Sequence, residues 1–386
     1  MHIKELINLI PEHELEVFAA ETKVDHQVKK LTGKVVFQLI LFSMLSRKRV
    51  SLRVMEEFLR SSSFKAFSGK AASDAKYNSL SVRIGMINAD FFEKIFQTCY
   101  SKFSKYLKEE NRIIRYDSTM VAVSSKLFQI GMSVGPKSKT DKKQLKFSIG
   151  SKGSLPVHFK IFKTQRALAE DIALKETILE NTDHGEDIVV FDRGLKDKKT
   201  FDQFSSKQIK FVTRTAWNIR HTVLQHLTIE KKPDEATVTI KEDLIVRMIY
   251  HRPEPKNPPD YRLIKAKIDA TGEDIYFLSN VKELTAYELA AIYKSRWEIE
   301  ILFKFLKQEL NMEHCVSRNL NGIKVMMYMT LITAILIITF KKLNHLSSFK
   351  IAKLRLVLEL ESLMMEQIVI LCGGDAEKFK NLFSDS

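Results

Sequence analysis

The sequence is poor in cysteine and has no signal-like apolar segment at its start, and each shortage excludes a class of protein. Three cysteines among 386 residues, Cys99, Cys315 and Cys372, are odd in number and far apart. Neither a disulfide framework nor a zinc-binding spacing is therefore present, and we expect reduced, buried thiols. Acidic residues interrupt the first 30 positions, so we expect a cytoplasmic protein rather than a secreted one.

Long apolar runs are equally scarce, with one exception in the last quarter of the chain. Val325–Phe340 is almost wholly apolar and is followed by Lys341 and Lys342. This run is shorter than the roughly 20 residues that a membrane-spanning helix needs. We predict a buried helix of a soluble protein, and a membrane segment is the weaker alternative.

Negative charge is in deficit. Lys and Arg number 62 against 47 Asp and Glu, which gives a net charge of +15, and 25 phenylalanines indicate a globular core. This excess of positive charge indicates a polyanionic partner, nucleic acid first and an anionic membrane second.

Residues 1–110 have the pattern of a helical domain. Lys34–Leu45 is strongly apolar, Ser51 can cap a helix over Leu52–Leu59, and Asn88 can cap a third over Ala89–Lys108. Between residues 27 and 55 there are seven Lys or Arg and no acid. These basic residues either form a solvated surface or bind DNA phosphates, and the sequence leaves both alternatives open. We assign 1–110 as a helical N-terminal DNA-binding domain.

From residue 112 the pattern changes to short β runs alternating later with helices. The predicted order is β-β-β-α-β-α-β, which is the order of a ribonuclease-H-like mixed sheet in an α/β fold. The predicted elements are strands Ile113–Val123, Leu145–Ile149 and Val157–Phe162, helix Glu170–Glu180, strand Ile188–Phe191, helix Thr200–Ser206 and strand Phe211–Thr215.

The remaining chain is predicted to be a β-rich insertion followed by helices. Five of the eight prolines fall within about 216–280, among alternating strand-like runs. One long helix is then predicted from about Ala286 to Leu310. We place a catalytic domain at 111–345, with the insertion inside it, and a helical C-terminal region at 346–386.

Two acids stand in or after predicted strands. Asp117 lies midway along the first strand, where a carboxylate is costly unless it is paired or bound to a metal. Asp192 follows the apolar strand Ile188–Phe191. The alternatives are a solvent-facing strand residue for Asp117 and an ordinary turn residue for Asp192, with Asp187 and Asp197 as less rigidly presented competitors.

A third acid lies on the predicted long helix. At about 100° per residue, Tyr293, Arg296, Glu300 and Lys307 fall within one narrow sector, and Lys304 lies on the same side. Glu298 points away and is predicted to be solvated. Most of the other helix positions are apolar, so a polar stripe on this helix is either a functional face or an interior ion-pair network.

These residues resemble the insertion-sequence-four family of DDE transposases. The helix signature of that family is Tyr, two residues, Arg, three residues, Glu, six residues and Lys, and this chain meets it in full. The signature follows an Asp on the first strand, an Asp-Arg-Gly after the fourth, and a β-rich insertion. The resemblance covers about 112–345.

The resemblance implies a cut-and-paste DNA transposase. Asp117, Asp192 and Glu300 are the implied catalytic residues and ligands of two Mg²⁺ ions, for which Mn²⁺ can substitute. The implied reaction nicks the ends of an insertion sequence, passes through a hairpin intermediate and joins the freed 3′-OH to target DNA. The implied partners are double-stranded DNA at the inverted repeats and the target, and a second copy in a homodimeric synaptic complex, with no membrane. Tyr293, Arg296 and Lys307 are the implied phosphate contacts, with Lys304 and Arg193 beside them.

Two departures from the family pattern concern aromatic residues. Leu195 follows Asp-Arg-Gly where an aromatic is common. The tryptophan that holds a flipped base in relatives has no counterpart at the expected place, because Trp217 and Trp297 lie elsewhere. Tyr276 or Tyr261 is the expected substitute.

Positive charge is concentrated after the Asp117 strand. Between residues 126 and 166 there are ten Lys or Arg and one acid. We predict that five lysines of this segment contact DNA phosphates, with a solvated loop as the alternative. The five are Lys137, Lys139, Lys142, Lys143 and Lys146.

Three functions therefore remain to be distinguished. The first is a transposase. The second is a metal-dependent nuclease of the same fold that performs no strand transfer, and the third is a DNA-binding relative that has lost catalysis.

Overall fold

A computed structural model describes residues 12–68, 74–108, 112–123, 131–133, 143–182, 185–250, 257–314 and 316–381. The chain forms two compact units, one from residues 1–109 together with 304–386 and the other from 110–303. Lys137, Lys139, Lys142 and Cys315 lie outside the described residues.

The first unit is helical. Its N-terminal helices are α1 (Glu12–Thr22), α2 (Gly33–Ser46), α3 (Leu52–Arg60), α4 (Ser62–Ser68), α5 (Tyr77–Met86) and α6 (Ala89–Leu107). The predicted caps are confirmed, because Ser51 accepts a hydrogen bond from the amide of Val54 and Asn88 accepts one from the amide of Asp90.

The C-terminal helices of this unit are α11 (Leu320–Leu343), α12 (Phe349–Leu371) and α13 (Ala376–Asn381). Among the described residues, α11 is the one helix long and apolar enough to cross a membrane, but 94% of its most apolar window is buried inside the protein. It packs against α2, α5 and α6. The predicted buried helix at Val325–Phe340 is confirmed.

The packing of α11 also bears on the expected domain limits. The sequence predicts a catalytic domain that includes residues 304–345, and in the structure these residues lie in the helical unit. The reason is that α11 is apolar all round and buries its surface among the N-terminal helices. The functional limits at 110 and 345 stay a prediction.

The second unit is a mixed α/β structure that confirms the predicted fold class. Its strands and first helices are β1 (Ile113–Ala122), β2 (Met132–Ser133), β3 (Lys143–Lys152), β4 (Leu155–Phe162), α7 (Glu170–Asn181), β5 (Ile188–Phe191), α8 (Lys198–Ser206) and β6 (Lys210–Arg214). β1 pairs antiparallel with β3, β3 pairs antiparallel with β4, and β1, β5 and β6 run parallel. This is the antiparallel-then-parallel order that the ribonuclease-H-like prediction required.

The predicted insertion continues the same sheet. It contains β7 (His221–His226), β8 (Val238–Met248), β9 (Asp260–Ile268) and β10 (Asp274–Ser279). β10 pairs with β6, so nine of the described strands run in the order β2-β3-β1-β5-β6-β10-β9-β8-β7, and β4 pairs with β3 outside this path. Within the insertion, β8 is one long strand whose pairing register with β9 shifts between Ile240 and Glu242.

The predicted long helix at 286–310 is wrong in one respect, because it is broken. It consists of α9 (Ala286–Lys294) and α10 (Trp297–Glu309), separated by Ser295 and Arg296. At the break the amides of Arg296 and Glu298 bond three residues back, to Tyr293 and Ser295, which tightens the turn. Angular offsets counted as one continuous helix therefore do not hold from Tyr293 to Glu300. α10 begins in the second unit and ends in the first.

Candidate active site

The site lies beside two parallel neighbouring strands, where β5 ends and β1 continues. In the pairing of β1 with β5, Arg115 is opposite Val190. Two residues beyond that pair on each strand come Asp117 and Asp192. Because the two strands run parallel in this register, Asp117 and Asp192 come at the same level of the sheet on neighbouring strands.

Electrostatics agree with this proximity. Asp117 is half-buried, and burial raises the pKa of its carboxyl to about 6, with further upward contributions from Glu170 and Asp192. The amide of Ser118, which donates to Oδ1 at 2.8 Å, and the nearby Arg296 act in the opposite direction. The result is a pair of neighbouring carboxyls, of which Asp117 is held back from ionising chiefly by burial.

The helix break brings the signature residues to this pair of carboxyls. The hydroxyl of Tyr293 donates to Oδ1 of Asp192 at 3.4 Å, across 101 positions of sequence. Burial, followed by the charge of Asp192, raises the pKa of Tyr293, so the phenol stays protonated. The guanidinium carbon of Arg296 lies 5.9 Å from the centre of the Tyr293 ring.

Glu300 is held by Arg296. The guanidinium donates to Oε1 at 2.6 Å, while Nε of Arg296 is buried without a hydrogen-bond partner. Burial opposes the charge of Arg296, but the hydrogen bond to Glu300 and the nearby Tyr293 and Asp192 outweigh it and raise its pKa. Thus Asp192, Tyr293, Arg296 and Glu300 form one chain of contacts, and Asp117 lies near enough for the charges of Asp192 and Arg296 to affect its pKa.

The other predicted DNA-binding residues lie in varied surroundings. Arg193 and Lys304 are exposed, and Lys307 pairs with Glu313 at 3.2 Å. Lys143 is half-buried and donates to the hydroxyl of Ser133 at 2.6 Å. Lys146 is 3% exposed and its ammonium binds Glu170 Oε1 at 2.9 Å and the carbonyl of Leu168. This position does not favour a phosphate contact, because the lysine is used inside the protein.

The aromatic residues also separate into buried and exposed ones. Tyr261 is fully buried and donates to Asp202 at 2.7 Å, so its expected role in base stacking is wrong. Tyr276 is half-buried, whereas Trp217 and Trp297 are 76% and 61% exposed. Leu195 is buried in the core, as expected for a packing residue.

Sequence reasoning missed the acids that begin α7. Asp171 Oδ1 accepts the amides of Lys196 and Asp197 at 2.6 and 2.8 Å, and so fixes the loop that follows Asp192. Glu170 packs where a side chain on Gly194 would lie, and its Oε2 is buried without a partner. Two acids in the first turn of a helix gave the signal, but such acids are common helix N-terminal residues.

The carboxylate side chains of the site suit a hard divalent cation, although they do not stand close enough together to bind one. Carboxylate oxygens are the ligands that Mg²⁺ prefers. Among the residues that the structure describes, however, no three His, Cys, Asp or Glu stand close enough together to hold a metal ion. Of the three predicted ligands, Glu300 is the one that is bound by Arg296 instead.

The comparisons with known proteins agree with one another. Residues 109–336 match the family described as transposase DDE domain. A candidate transposase, y4zB of Sinorhizobium fredii, is 27% identical over 158 residues, covering 41% of this chain and 44% of that protein. A candidate transposase for insertion sequence element IS4SA of Synechocystis is 27% identical over 242 residues, covering 62% of each. The chain thus spans about two fifths to three fifths of these relatives' length.

Proposed function

Because this chain belongs to the DDE-domain transposase family, we propose that it is a transposase that cuts and joins DNA at the ends of an insertion sequence. The observation that carries the proposal is the chain of contacts from Asp192 through Tyr293 and Arg296 to Glu300, with Asp117 beside it on β1. Two carboxyls on neighbouring strands beside a half-buried arginine whose Nε has no partner are a candidate functional site.

The proposed cofactor is a pair of Mg²⁺ ions, with Mn²⁺ as a substitute. Asp117 and Asp192 would hold them first, and Glu300 would join after leaving Arg296. When bound, such ions activate the attacking oxygen and stabilise charge at phosphorus. The oxygens of Asp117 and Asp192 supply the hard ligands that this requires.

The residues of the helix break would bind the DNA backbone. Arg296 is the strongest candidate, since a guanidinium binds a phosphate through two parallel hydrogen bonds and its Nε is unsatisfied. The hydroxyl of Tyr293 is a second donor, and Lys307 adds a point charge two turns beyond Glu300. Tyr293 also touches Asp192, so one helix end would position both the scissile phosphate and the ligands.

The proposed reaction order is cleavage, hairpin formation, hairpin opening and strand transfer at one site. The proposed partners are double-stranded inverted-repeat ends, target DNA and a second copy of this chain, and the proposed location is the bacterial cytoplasm. Residues 1–110, together with Arg193, Lys304, Lys143 and the lysines at 137, 139 and 142, would add phosphate contacts.

A joining assay tests this function against its rivals. The protein is incubated with labelled inverted-repeat DNA, Mg²⁺ and a supercoiled target plasmid, and the products are separated on a gel. A transposase gives nicked ends, a hairpin species and label joined to the plasmid, whereas a nuclease gives cut ends without joined label. A DNA-binding relative gives neither, with wild type and Glu300→Gln equally inactive.

A further inference from the structure

Arg115 is a buried arginine on the strand that carries Asp117, and nothing in the proposed chemistry uses it. Its side chain is 2% exposed. Asp117 comes two residues later on β1, so the two side chains project from the same face of the sheet. Burying a guanidinium is expensive unless its donors are satisfied, which makes its partners informative.

Three of the arginine's donor nitrogens meet four atoms, which belong to three residues. Nε donates to the carbonyl of Ser295 at 2.8 Å and to its hydroxyl at 3.2 Å. One terminal nitrogen donates to the carbonyl of Gly153 at 3.2 Å, in the turn between β3 and β4. The other pairs with Glu298 Oε2 at 3.2 Å. Of these residues, Ser295 lies in the break between α9 and α10, and Glu298 lies in the first turn of α10.

The break supplies the acceptor that Arg115 needs. Where α9 ends, the carbonyl of Ser295 accepts only the tightened bond from the amide of Glu298 within the helices. A helix end that is buried needs a further donor for such carbonyls, and Arg115 provides it. The next residue is Arg296, and Glu300 lies in the first turn of α10.

We propose that Arg115 is a positioning residue that fastens the helix break to the Asp117 strand and thereby sets where Arg296 and Glu300 lie. This rests on the proposed function for its catalytic consequence. Glu298, predicted to be solvated, is half-exposed and completes the contact. Its exposure means that the carbonyl of Ser295 contributes more to the positioning than the ion pair does.

The test compares Arg115→Met and Arg115→Lys with Arg112→Met as a matched control. Arg112 lies just before the same strand but is 72% exposed and pairs with an exposed Glu186. Two quantities are measured on inverted-repeat DNA with Mg²⁺: the single-turnover nicking rate at saturating protein and the DNA dissociation constant. Hydrogen exchange of the amides of residues 296–299 is measured without DNA or metal.

The proposal predicts a split between rate and binding. Arg115→Met lowers the nicking rate about 100-fold, the size of effect expected from a displacement near 1 Å, with DNA affinity within threefold of wild type. Arg115→Lys recovers part of the rate, because one ammonium can still reach the Ser295 carbonyl. Hydrogen exchange of the amides of residues 296–299 accelerates in Arg115→Met, whereas the amides of β5 exchange at the wild-type rate. The control Arg112→Met has the exchange, nicking rate and DNA affinity of wild type.

Three results would overturn the proposal. The first is a wild-type nicking rate in Arg115→Met. The second is a joint loss of rate, DNA affinity and melting temperature in both Arg115 variants, which is the pattern of a merely structural residue. The third is unchanged exchange at 296–299. If wild type itself does not nick DNA, the proposed function fails, and the exchange measurement alone decides whether Arg115 holds the break.

Discussion

The guanidinium of Arg296 and the carboxylate of Glu300 are bound to each other at 2.6 Å, although the proposed function assigns one to DNA and the other to metal. The pair must therefore separate when the site is loaded. The guanidinium of Arg296 competes with a metal ion for Glu300 and therefore weakens metal binding. A DNA phosphate that binds Arg296 removes this competition. Metal and DNA are thus expected to bind cooperatively.

Arg296→Gln should tighten metal binding while impairing catalysis. Without the competing guanidinium, Glu300 is free and the local positive charge is lower, so Mn²⁺ affinity measured by electron paramagnetic resonance should rise several-fold. Nicking should fall at least 100-fold, since a phosphate contact is lost. Arg112→Gln, which removes an exposed arginine, is the control. Weaker Mn²⁺ binding in Arg296→Gln would contradict the competition.

Asp117→Asn should abolish nicking yet stabilise the metal-free protein. The folded-state pKa of Asp117 is about 6, above its ordinary value, so between pH 4 and 6 the folded state binds more protons than the unfolded state. Stability is accordingly lost as pH rises through this window. Above pH 6 the neutral amide avoids that cost, on the order of 2 kcal/mol.

The measurement is urea unfolding in EDTA at pH 5 and pH 7.5. The stabilisation by Asp117→Asn should be larger at pH 7.5, where the wild-type carboxyl is ionised. A variant that is less stable than wild type at pH 7.5 would show that the carboxylate is not strained in the metal-free site.

Lys353 in the helical unit should make the free energy of unfolding increase as the pH rises from 8 to about 10.5. It is 8% exposed and donates to the carbonyl of Glu309 at 2.8 Å, and burial lowers its pKa to about 8. Between pH 8 and about 10.5 the unfolded chain holds more protons, so folding becomes more favourable as pH rises. Relative to Lys353→Met, wild type should gain about 2 kcal/mol between pH 7.5 and 10. A pH-independent difference in urea unfolding would refute this.

Asp243 and Arg262 form a buried ion pair in the β-rich insertion. Their side chains are 1% and 5% exposed and share hydrogen bonds of 2.8 and 2.5 Å. Arg262 also binds the carbonyl of Leu284, just before α9. Asp243→Ala leaves a buried guanidinium unpaired and should cost about 3–5 kcal/mol in thermal or urea unfolding. The control Glu242→Ala breaks the more exposed pair with Lys265 and should cost under about 1 kcal/mol. Equal losses of stability in Asp243→Ala and Glu242→Ala would contradict a special role for the buried pair.

Lys143 and Lys146 should respond differently to neutralisation. If the lysine-rich segment contacts phosphates, Lys143→Gln lowers the slope of log affinity against log salt by about 1. Lys146→Gln should leave the slope unchanged and lower the melting temperature, because this ammonium is bound to Glu170 inside the protein. Equal slopes for Lys143→Gln and wild type would remove Lys143 from the interface.

Patterns of local origin were predictable from the sequence. The strand Ile188–Phe191 and the caps Ser51 and Asn88 depend on neighbouring residues, and all are confirmed. The break at Ser295 was not predictable, because the residues around it favour a continuous helix. In the structure the carbonyl of Ser295 accepts a hydrogen bond from Arg115, 180 positions away, a contact that no local pattern reveals. Lys146 was misjudged for the same reason: only the fold reveals that Glu170 lies within its reach.

The central claim is that Asp117, Asp192 and Glu300 serve one DNA-cleaving site. The most direct measurement is the single-turnover nicking rate of Asp117→Asn, Asp192→Asn, Glu300→Gln and the triple variant on inverted-repeat DNA with Mg²⁺. Asp187→Asn, at the opposite end of the Asp192 strand, is the control. We predict that each single variant falls to the same residual rate as the triple one, because the three act as a unit, while Asp187→Asn stays near wild type. A single variant that keeps the wild-type rate, or a control that loses it, would contradict the account.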